Sequence, residues 1–252
     1  AKYFKNLDID ENIFDIKLTK GNLYSEISVI YNEYLSWSVK LVNSSNYFSN
    51  EIELSILIGP VIKNTEVSIR MDTNWKTNGL WYSDNGLAID EHKRTKHPFM
   101  DPSGIGSNFH SLKDTAFIKQ DSDKLVILTG QSEGVTSLED GQLEIMLHRR
   151  CGSWDDKSKV KLPFRILYGN ENNINDLISE QKIRLQYPYI TLIGSPVSND
   201  FISSENNNSY NPINESLPKN IHLFSLSTDN LIAIPIINSC DNNNNNNNIA
   251  FR

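Results

Sequence analysis

The stretch GVTSLEDGQLEIMLHRR, residues 134–150, decides the fold class of this chain. Asp140-Gly141 is a turn signal, and an alternating run follows it directly. Residues two apart share a face of a strand, so the run places an apolar set opposite a mixed set. The expected sets are Leu143, Ile145 and Leu147 on one face and Glu144, Met146 and His148 on the other. Arg149 and Arg150 follow, so the pattern predicts a half-buried strand with a charged end.

The same two-residue period recurs along much of the chain, with turn residues between the runs. The runs are Ile27, Val29 and Tyr31; Leu35, Trp37, Val39 and Leu41; Ile52, Leu54, Ile56 and Ile58; and Val67, Ile69 and Met71. Helical spacing is found in Ile174, Leu177 and Ile178, with Asn173 or Asn175 as the cap and an end before Tyr187-Pro188. The sequence therefore predicts a mainly β protein, a large antiparallel β-sandwich with at most one or two short helices.

Length, composition and net charge limit the classes of function that this chain can have. With 252 residues and 38% hydrophobic content, the chain can bury a substantial core. Its formal net charge of -7 argues against a nucleic-acid partner, and the basic segment Lys93–Lys96 is interpreted as a solvated face. No apolar run is long enough to span a membrane. Residues 1–4 do not resemble a signal peptide, so entry into the secretory pathway would need an upstream segment.

Several features leave alternatives open or carry weak signals. Cys151 and Cys240 permit one disulfide, free thiols or a link to another fragment. Residues 199–216 are rich in Asn and Ser, which predicts a mobile loop, and Asn242–Asn248 is a low-complexity run expected on the surface. Three sequons suggest N-glycosylation in a secretory protein, at Asn43, Asn207 and Asn214.

Ordered motifs over roughly residues 25–230 resemble one family. Residues 134–150 resemble the strand DG-x-LE-x-M-x-HRR of family 38 α-mannosidases, the lysosomal type in particular. Trp81-Tyr82-Ser83-Asp84-Asn85-Gly86 resembles their F-Y-T-D-x-N-G signature, with one residue fewer before the glycine. Three further segments match in order, residues 53–61 with 69–73, residues 115–118 with 125–134, and residues 217–223. The chain is thus similar to the C-terminal β region of these enzymes.

The resemblance implies an architecture and a partner. Residues 1–240 would form a sandwich of the mutarotase-like supersandwich type, and a smaller β subdomain at about 185–240 is left open. Residues 241–252 are interpreted from composition alone as an Asn-rich tail, since the end of the chain matches no family segment. The implied partner is an N-terminal catalytic α/β domain of the same precursor, and a homo-oligomer is left open. The implied location is the lysosome or another compartment of the secretory pathway.

The resemblance also implies a chemistry. Family members are zinc-dependent retaining glycosidases that remove terminal α-linked mannose from glycoprotein glycans, and two carboxyl groups carry the reaction. Their zinc ligands are His and Asp residues of the N-terminal domain. This chain has no His with an Asp two residues later. Catalytic and metal-binding residues are therefore expected outside it, and the chain alone is expected to be inactive.

The residues expected at the substrate cleft are Arg149, Arg150, Asp155 and Asp156. In the family, the matching Arg pair lies at the domain boundary near bound mannose, and one of the two is expected to act through its carbonyl. The alternative is that Arg149 and Arg150 form an ordinary solvated strand end. After Arg150 the chain departs from the family pattern, because the Arg-Gly that follows the acidic pair is absent and Trp154 is new.

A second hypothesis treats the chain as a stand-alone carbohydrate-binding or inactive β module from a degenerate α-mannosidase. The two hypotheses differ in the surface that they require. A part detached from its partner is expected to expose an apolar patch, whereas a stand-alone module is expected to be a stable monomer.

Overall fold

Alternating apolar residues produce strands at nearly every position that the pattern indicates. The computed structural model describes residues 15–43, 51–84, 92–97, 108–150 and 157–186, together with the backbone of residues 221–226 and 231–235. The strands before the helix are β1 (Asp15–Lys20), β2 (Tyr24–Asn32), β3 (Leu35–Val42), β4 (Glu51–Ile58), β5 (Thr65–Asp72), β6 (Leu80–Ser83), β7 (His92–Thr95), β8 (His110–Leu112), β9 (Thr115–Gln120), β10 (Asp123–Thr129), β11 (Glu133–Thr136), β12 (Gln142–Arg150) and β13 (Val160–Asn170).

Within the described residues, these strands form two antiparallel sheets. The large sheet has the order β1-β2-β3-β4-β13-β10-β9-β6-β7, and the small sheet has the order β5-β12-β11-β8. Neighbouring strands are antiparallel throughout both sheets. The expected antiparallel, mainly β fold is confirmed.

The main core lies between the two sheets. Buried side chains of the large sheet, such as Ile56, Leu162 and Phe164, pack in one cluster with Leu143 and Ile145 of β12. Residues two apart on each strand supply this cluster, as the alternation predicts. The expected set of β5 is confirmed, since Val67, Ile69 and Met71 pack against the cluster. In β4, Leu54, Ile56 and Ile58 are buried in it, whereas the fourth expected residue, Ile52, is half-buried.

Helix α1 (Glu171–Gln186) covers the other face of the large sheet. Its buried Ile174, Leu177 and Ile178 pack with Val126 and Leu128 of β10, which confirms the apolar helix face. The expected cap was wrong. Asn170, the last residue of β13, accepts a hydrogen bond from the backbone N–H of Asn172 at 3.2 Å, which is N-cap geometry, and Asn173 and Asn175 lie inside the helix.

The chain divides into two compact units, residues 1–186 and 187–252. In the second unit, β14 (Ile221–Leu226) pairs with β15 (Leu231–Pro235) in an antiparallel hairpin. Among the described residues, no helix has the length and apolar character needed to cross a membrane. The Asn-rich tail, residues 241–252, lies outside the described residues, as do Cys151 and Cys240.

The Asp140-Gly141 turn is held by the loop after β5. The Asp140 carboxylate accepts hydrogen bonds from the Thr77 hydroxyl at 2.7 Å and from the backbone N–H groups of Thr77 and Gly79 at 3.0 and 2.9 Å. Gly141 has a φ of 70°, and a side chain there would lie 2.6 Å from the Trp75 carbonyl oxygen. The turn thus has two requirements, an acceptor at position 140 and no side chain at position 141.

Replacing Leu162 by Ala is expected to lower the free energy of unfolding by about 2–5 kcal/mol, because a fully buried Leu side chain is removed from the main core. Lys161→Ala, on the same strand but at an exposed position, is the matched control and should stay within about 0.5 kcal/mol of the parent. Chemical denaturation of both variants measures this. Equal losses for the two would contradict the placement of the core.

Asp140→Asn is expected to lower stability at pH 7 and to flatten the loss of stability in acid. Hydrogen bonds from the Gly79 amide and then the Thr77 hydroxyl lower the pKa of Asp140, so its contribution is present above the unfolded-state pKa and is lost as pH falls through the folded-state value. Denaturation at pH 7 and pH 3 should show the variant and parent converging in acid. Glu139→Gln is the neighbouring control, and convergence there as well would count against this role of Asp140.

Candidate functional site

A β-bulge in β12 changes the faces on which the last three residues of this strand lie. Between β12 and β5 the register shifts after Met146, so that Leu147 is the extra residue and His148 pairs with Val67. Directly paired residues share a face. His148 therefore lies on the core side with Leu143 and Ile145, and the expectation that it lies on the opposite face was wrong. The expected apolar set, Leu143, Ile145 and Leu147, is confirmed, because all three lie in the main core.

The bulge also sends the two arginines to opposite faces. Arg150 pairs with Thr65 on the core side, and its Nη1 donates to the carbonyl oxygen of the fully buried Val61 at 2.9 Å. Arg149 pairs with Glu66 on the outer side, where its Nε lies 3.4 Å from a Glu66 carboxylate oxygen. The Arg149 side chain is 59% exposed. One arginine thus binds the loop after β4, and the other presents charge at the surface.

The loop after β4 fits closely against this strand end. Gly59 has a φ of 103°, and a Cβ placed on it would lie 2.1 Å from the Ser158 carbonyl oxygen and 3.2 Å from His148 Nε2. The Gly59 amide donates to the Tyr34 carbonyl at 2.8 Å. The chain segment beginning at residue 157, the loop after β4 and the end of β12 therefore meet at a point that has room only for glycine.

A polar ladder follows the outer face of the small sheet from the turn to Arg149. Gln142 donates to Asp72 at 2.7 Å. Glu144 accepts from Arg70 Nε and Nη2 at 2.9 and 2.6 Å and from the Ser68 hydroxyl at 3.3 Å. The pairs Gln142–Asp72, Glu144–Arg70 and Arg149–Glu66 are each in direct cross-strand register.

The sequence placed Glu144 on this face but indicated neither its burial nor its ion pair with Arg70. Its side chain is only 1% exposed although it points away from the core, and its partner Arg70 is 43% exposed. The hydrogen bond that Arg70 donates to the Glu144 carboxylate is the largest of the effects that raise the pKa of Arg70. The available signal was the spacing of charge in β5, where Glu66, Arg70 and Asp72 fall on one face and oppose residues of complementary type in β12.

The motif Trp81-Tyr82-Ser83-Asp84 serves the fold. Asp84 is buried, and its carboxylate accepts hydrogen bonds from the backbone N–H groups of Lys113, Asp114 and Thr115 at 2.8, 2.7 and 2.6 Å. It thereby fastens the end of β6 to the turn between β8 and β9. Trp81 is buried in the main core beside His110, with ring centroids 5.5 Å apart. Burial, followed by the charge of Arg94, lowers the pKa of His110.

The remaining expected site residues are placed only in part. Asp155 and Asp156 lie outside the described residues, and so do the sequons at Asn207 and Asn214. Asn43 is exposed, and its Nδ2 donates to the carbonyl oxygens of Gly21 and Asn22 at 2.9 and 3.3 Å. A glycan would be attached to that same nitrogen. In this structure, the Asn43 side chain holds the turn between β1 and β2.

Metal-ligating side chains do not converge in the described part of the chain. No group of three His, Cys, Asp or Glu residues there could hold a metal ion. The donor set therefore does not fit a zinc site within residues 15–43, 51–84, 92–97, 108–150 and 157–186. His92, in β7, and His97, beyond its end, contribute to no such group.

Comparison with known proteins identifies the family. The pattern of the glycosyl hydrolases family 38 C-terminal domain matches residues 2–158. The chain belongs to this domain family. The predicted resemblance is therefore confirmed, and lysosomal α-mannosidases are among the similar proteins.

Two relatives of this family 38 domain show how the similarity extends. Human alpha-mannosidase 2 is 27% identical over 237 residues, which covers 84% of the chain and 20% of that relative. Bovine lysosomal alpha-mannosidase is 31% identical over 141 residues, which covers 53% of the chain and 14% of that relative. The chain thus spans about one fifth or less of the length of these relatives.

A solved structure supports the fold of the family 38 domain. An α-mannosidase from Enterococcus faecalis V583 superposes with a TM-score of 0.53 at 10% sequence identity, covering 69% of this chain and 24% of that one. At this identity the likeness concerns the fold alone.

Gly59→Ala is expected to destabilise the protein by more than about 1–3 kcal/mol, because it combines an unfavourable φ with a Cβ placed against the Ser158 carbonyl. Gly79→Ala is the matched control, since Gly79 also has a positive φ, 68°, but a Cβ there meets nothing within 4 Å. Denaturation of both variants separates the close approach from backbone strain. Equal losses of unfolding free energy in the two variants would show that the close approach of Gly59 to the Ser158 carbonyl adds nothing beyond backbone strain.

Proposed function

We propose that this chain is the non-catalytic C-terminal β part of a larger zinc-dependent retaining α-mannosidase that removes terminal α-linked mannose from glycoprotein glycans. The single observation that supports this most is the family match over residues 2–158, which includes the charged end of β12. The relatives named above are alpha-mannosidases several times longer than this chain. Reaction in a retaining glycosidase requires two carboxyl groups about 5–5.5 Å apart, and we assign these to the rest of the protein.

We assign the zinc site, like the two carboxyl groups, to the rest of the longer protein. The described residues hold no suitable ligand cluster, so the ligands would come from an N-terminal α/β domain. When bound there, the ion would supply Lewis-acid polarisation and sugar binding. The residues of this chain would bind and orient the substrate from the side.

Arg149 and Arg150 would form the rim of the mannose cleft with divided roles. Arg149 presents an exposed guanidinium, which suits bidentate binding to a sugar diol or to a carboxylate of the catalytic domain. Arg150 is bound to the Val61 carbonyl, so its side chain would position the strand end and leave its own carbonyl to face the sugar. Asp155 and Asp156 would extend this rim.

The lysosome or another secretory compartment is the location that we propose. Lysosomal alpha-mannosidases from cattle, mouse and human are similar to the chain. Attachment of glycans at Asn43, Asn207 and Asn214 would follow from that location.

Activity is expected in the longer polypeptide and not in the 252 residues alone. Release of the aryl group from an aryl α-mannoside by both proteins measures this, and metal chelation should abolish it in the longer one. Turnover by the isolated chain would contradict the proposal. Mannose binding by the isolated chain, with no catalytic polypeptide encoded beside it, would instead favour a stand-alone carbohydrate-binding module.

Arg149→Ala in the longer enzyme is expected to lower kcat/KM by roughly 10- to 100-fold, the equivalent of one charge-assisted hydrogen bond. Arg150→Ala should lower it too, together with the melting temperature, since the bond to Val61 is lost. Lys20→Ala, an exposed cation on β1, is the control that should leave kinetics unchanged. Unchanged kinetics for both arginine variants would remove the rim assignment.

A further inference from the structure

An exposed apolar patch lies on the core side of the large sheet. Its members are Ile16 and Leu18 of β1, Ile27 of β2 and Leu41 of β3, which are 59%, 68%, 44% and 49% exposed. We refer to these four residues as the overhang patch. All four belong to the face that forms the main core further along the same sheet, because each pairs in register with a core-facing residue of the next strand.

One cross-strand row shows how the core becomes uncovered. Phe164 pairs with Leu54, Leu54 with Val39, Val39 with Ile27, and Ile27 with Leu18. Exposure rises along this row from 0% at Phe164 and 5% at Leu54 to 44% at Ile27 and 68% at Leu18. The row is apolar over its whole length. It therefore has the composition of a sandwich interior in a place where solvent reaches it.

The cause is a difference in width between the two layers. In the described residues the large sheet has nine strands and the small sheet has four. At one side, β8 contacts β6 and β12 contacts β9, so the small sheet ends at β5 on the side of β1–β3. A step is left between the edge of β5 and the outer strand β1. The overhang patch forms the floor of that step.

The two faces of β2 differ in composition, so the patch does not result from a strand that is apolar on both sides. The row on the face opposite the patch contains the polar residues Glu26 and Ser28, and its two large hydrophobic residues, Tyr24 and Ile30, are separated along the strand and are 37% and 46% exposed. Isolated apolar side chains on a surface are ordinary, whereas four contiguous ones that continue a core indicate a covered surface.

We infer that the overhang patch is the seat of an apolar segment from the longer polypeptide, lying in the step beside β5 as a continuation of the small-sheet layer. The relatives described above have about four fifths of their length outside the region that this chain matches, which supplies such a segment without a second subunit. The inference rests on the proposed function in one respect, since it takes the chain to be part of a longer α-mannosidase.

Cysteine labelling tests this seat without asking the fold to tolerate a large change. Leu18→Cys is placed on the patch, and Ile30→Cys serves as the matched control of similar size on the opposite face of the neighbouring strand. Each variant is made in the 252-residue chain and in the longer protein. Site-resolved mass spectrometry measures alkylation at each position and separates it from Cys151 and Cys240.

The expected result is that Leu18→Cys reacts at least about tenfold more slowly in the monomeric longer protein than in the 252-residue chain, while Ile30→Cys reacts equally in both. Equal reactivity of Leu18→Cys in the two proteins would overturn the inference. Protection that appears only in the short chain and grows with its concentration would also overturn it, because a second copy would then be the occupant.

A second pair of variants tests the sign of the effect on stability. Ile27→Lys should lower the melting temperature of the longer protein by several degrees, since it buries a charge in the covered step. In the 252-residue chain the same change should leave the melting temperature within about one degree, since position 27 is open to solvent there. Ile30→Lys should be neutral in both. A loss of equal size in both proteins would contradict a seat formed only with the longer polypeptide.

These results are independent of the catalytic assignment. Protection at position 18 in a longer protein without mannosidase activity would support the seat and reject the proposed function. Full mannosidase activity with an unprotected position 18 would do the reverse.

Discussion

Burial of one face of β12 against the large sheet is the interaction on which the rest of the structure depends. Leu143 and Ile145 occupy the centre of the main core, and β12 is also the strand that both β5 and β11 pair with. Once these side chains are buried, the outer face of the small sheet must carry the alternate residues. That requirement produces the polar ladder and leads it to Arg149. The same strand therefore holds the sandwich together and ends in the charged pair Arg149 and Arg150.

The bulge at Leu147 sends the two arginines at the end of this strand to opposite faces. Without the extra residue, Arg149 would follow Leu147 onto the core side and Arg150 would face outward. With it, Arg150 reaches the Val61 carbonyl and Arg149 lies beside Glu66. A local irregularity in pairing thus decides which arginine positions the loop and which presents charge. Gly59 is the matching requirement across the junction, because only a residue without a side chain lets the loop approach His148 and Ser158.

The difference in width between the two sheets connects the fold to the family. The chain matches about one fifth of the length of human alpha-mannosidase 2. The large sheet extends beyond the small one, and its inner face there keeps the apolar composition of an interior. This composition is understandable if the covering layer belongs to the same longer protein, since an apolar surface of this kind is costly in a protein that stands alone. The overhang patch and the strand end at Arg149 and Arg150 are thus the two surfaces that we propose meet the rest of a longer protein.

By itself the sequence determined the strands, their buried faces and the helix, because the two-residue and 3.6-residue periods of apolar side chains are local properties. It also determined the family, through motifs such as residues 134–150. It could not determine the bulge, which depends on the register between β12 and β5, two strands whose paired residues are about 70 positions apart, as for Arg70 and Glu144. For the same reason it misplaced His148 and overlooked the burial of Glu144. It named Asn173 or Asn175 as the helix cap, whereas the end of β13 places Asn170 there. Only the tertiary structure decided these points, since long-range pairing and layer stacking set which groups meet and which remain uncovered.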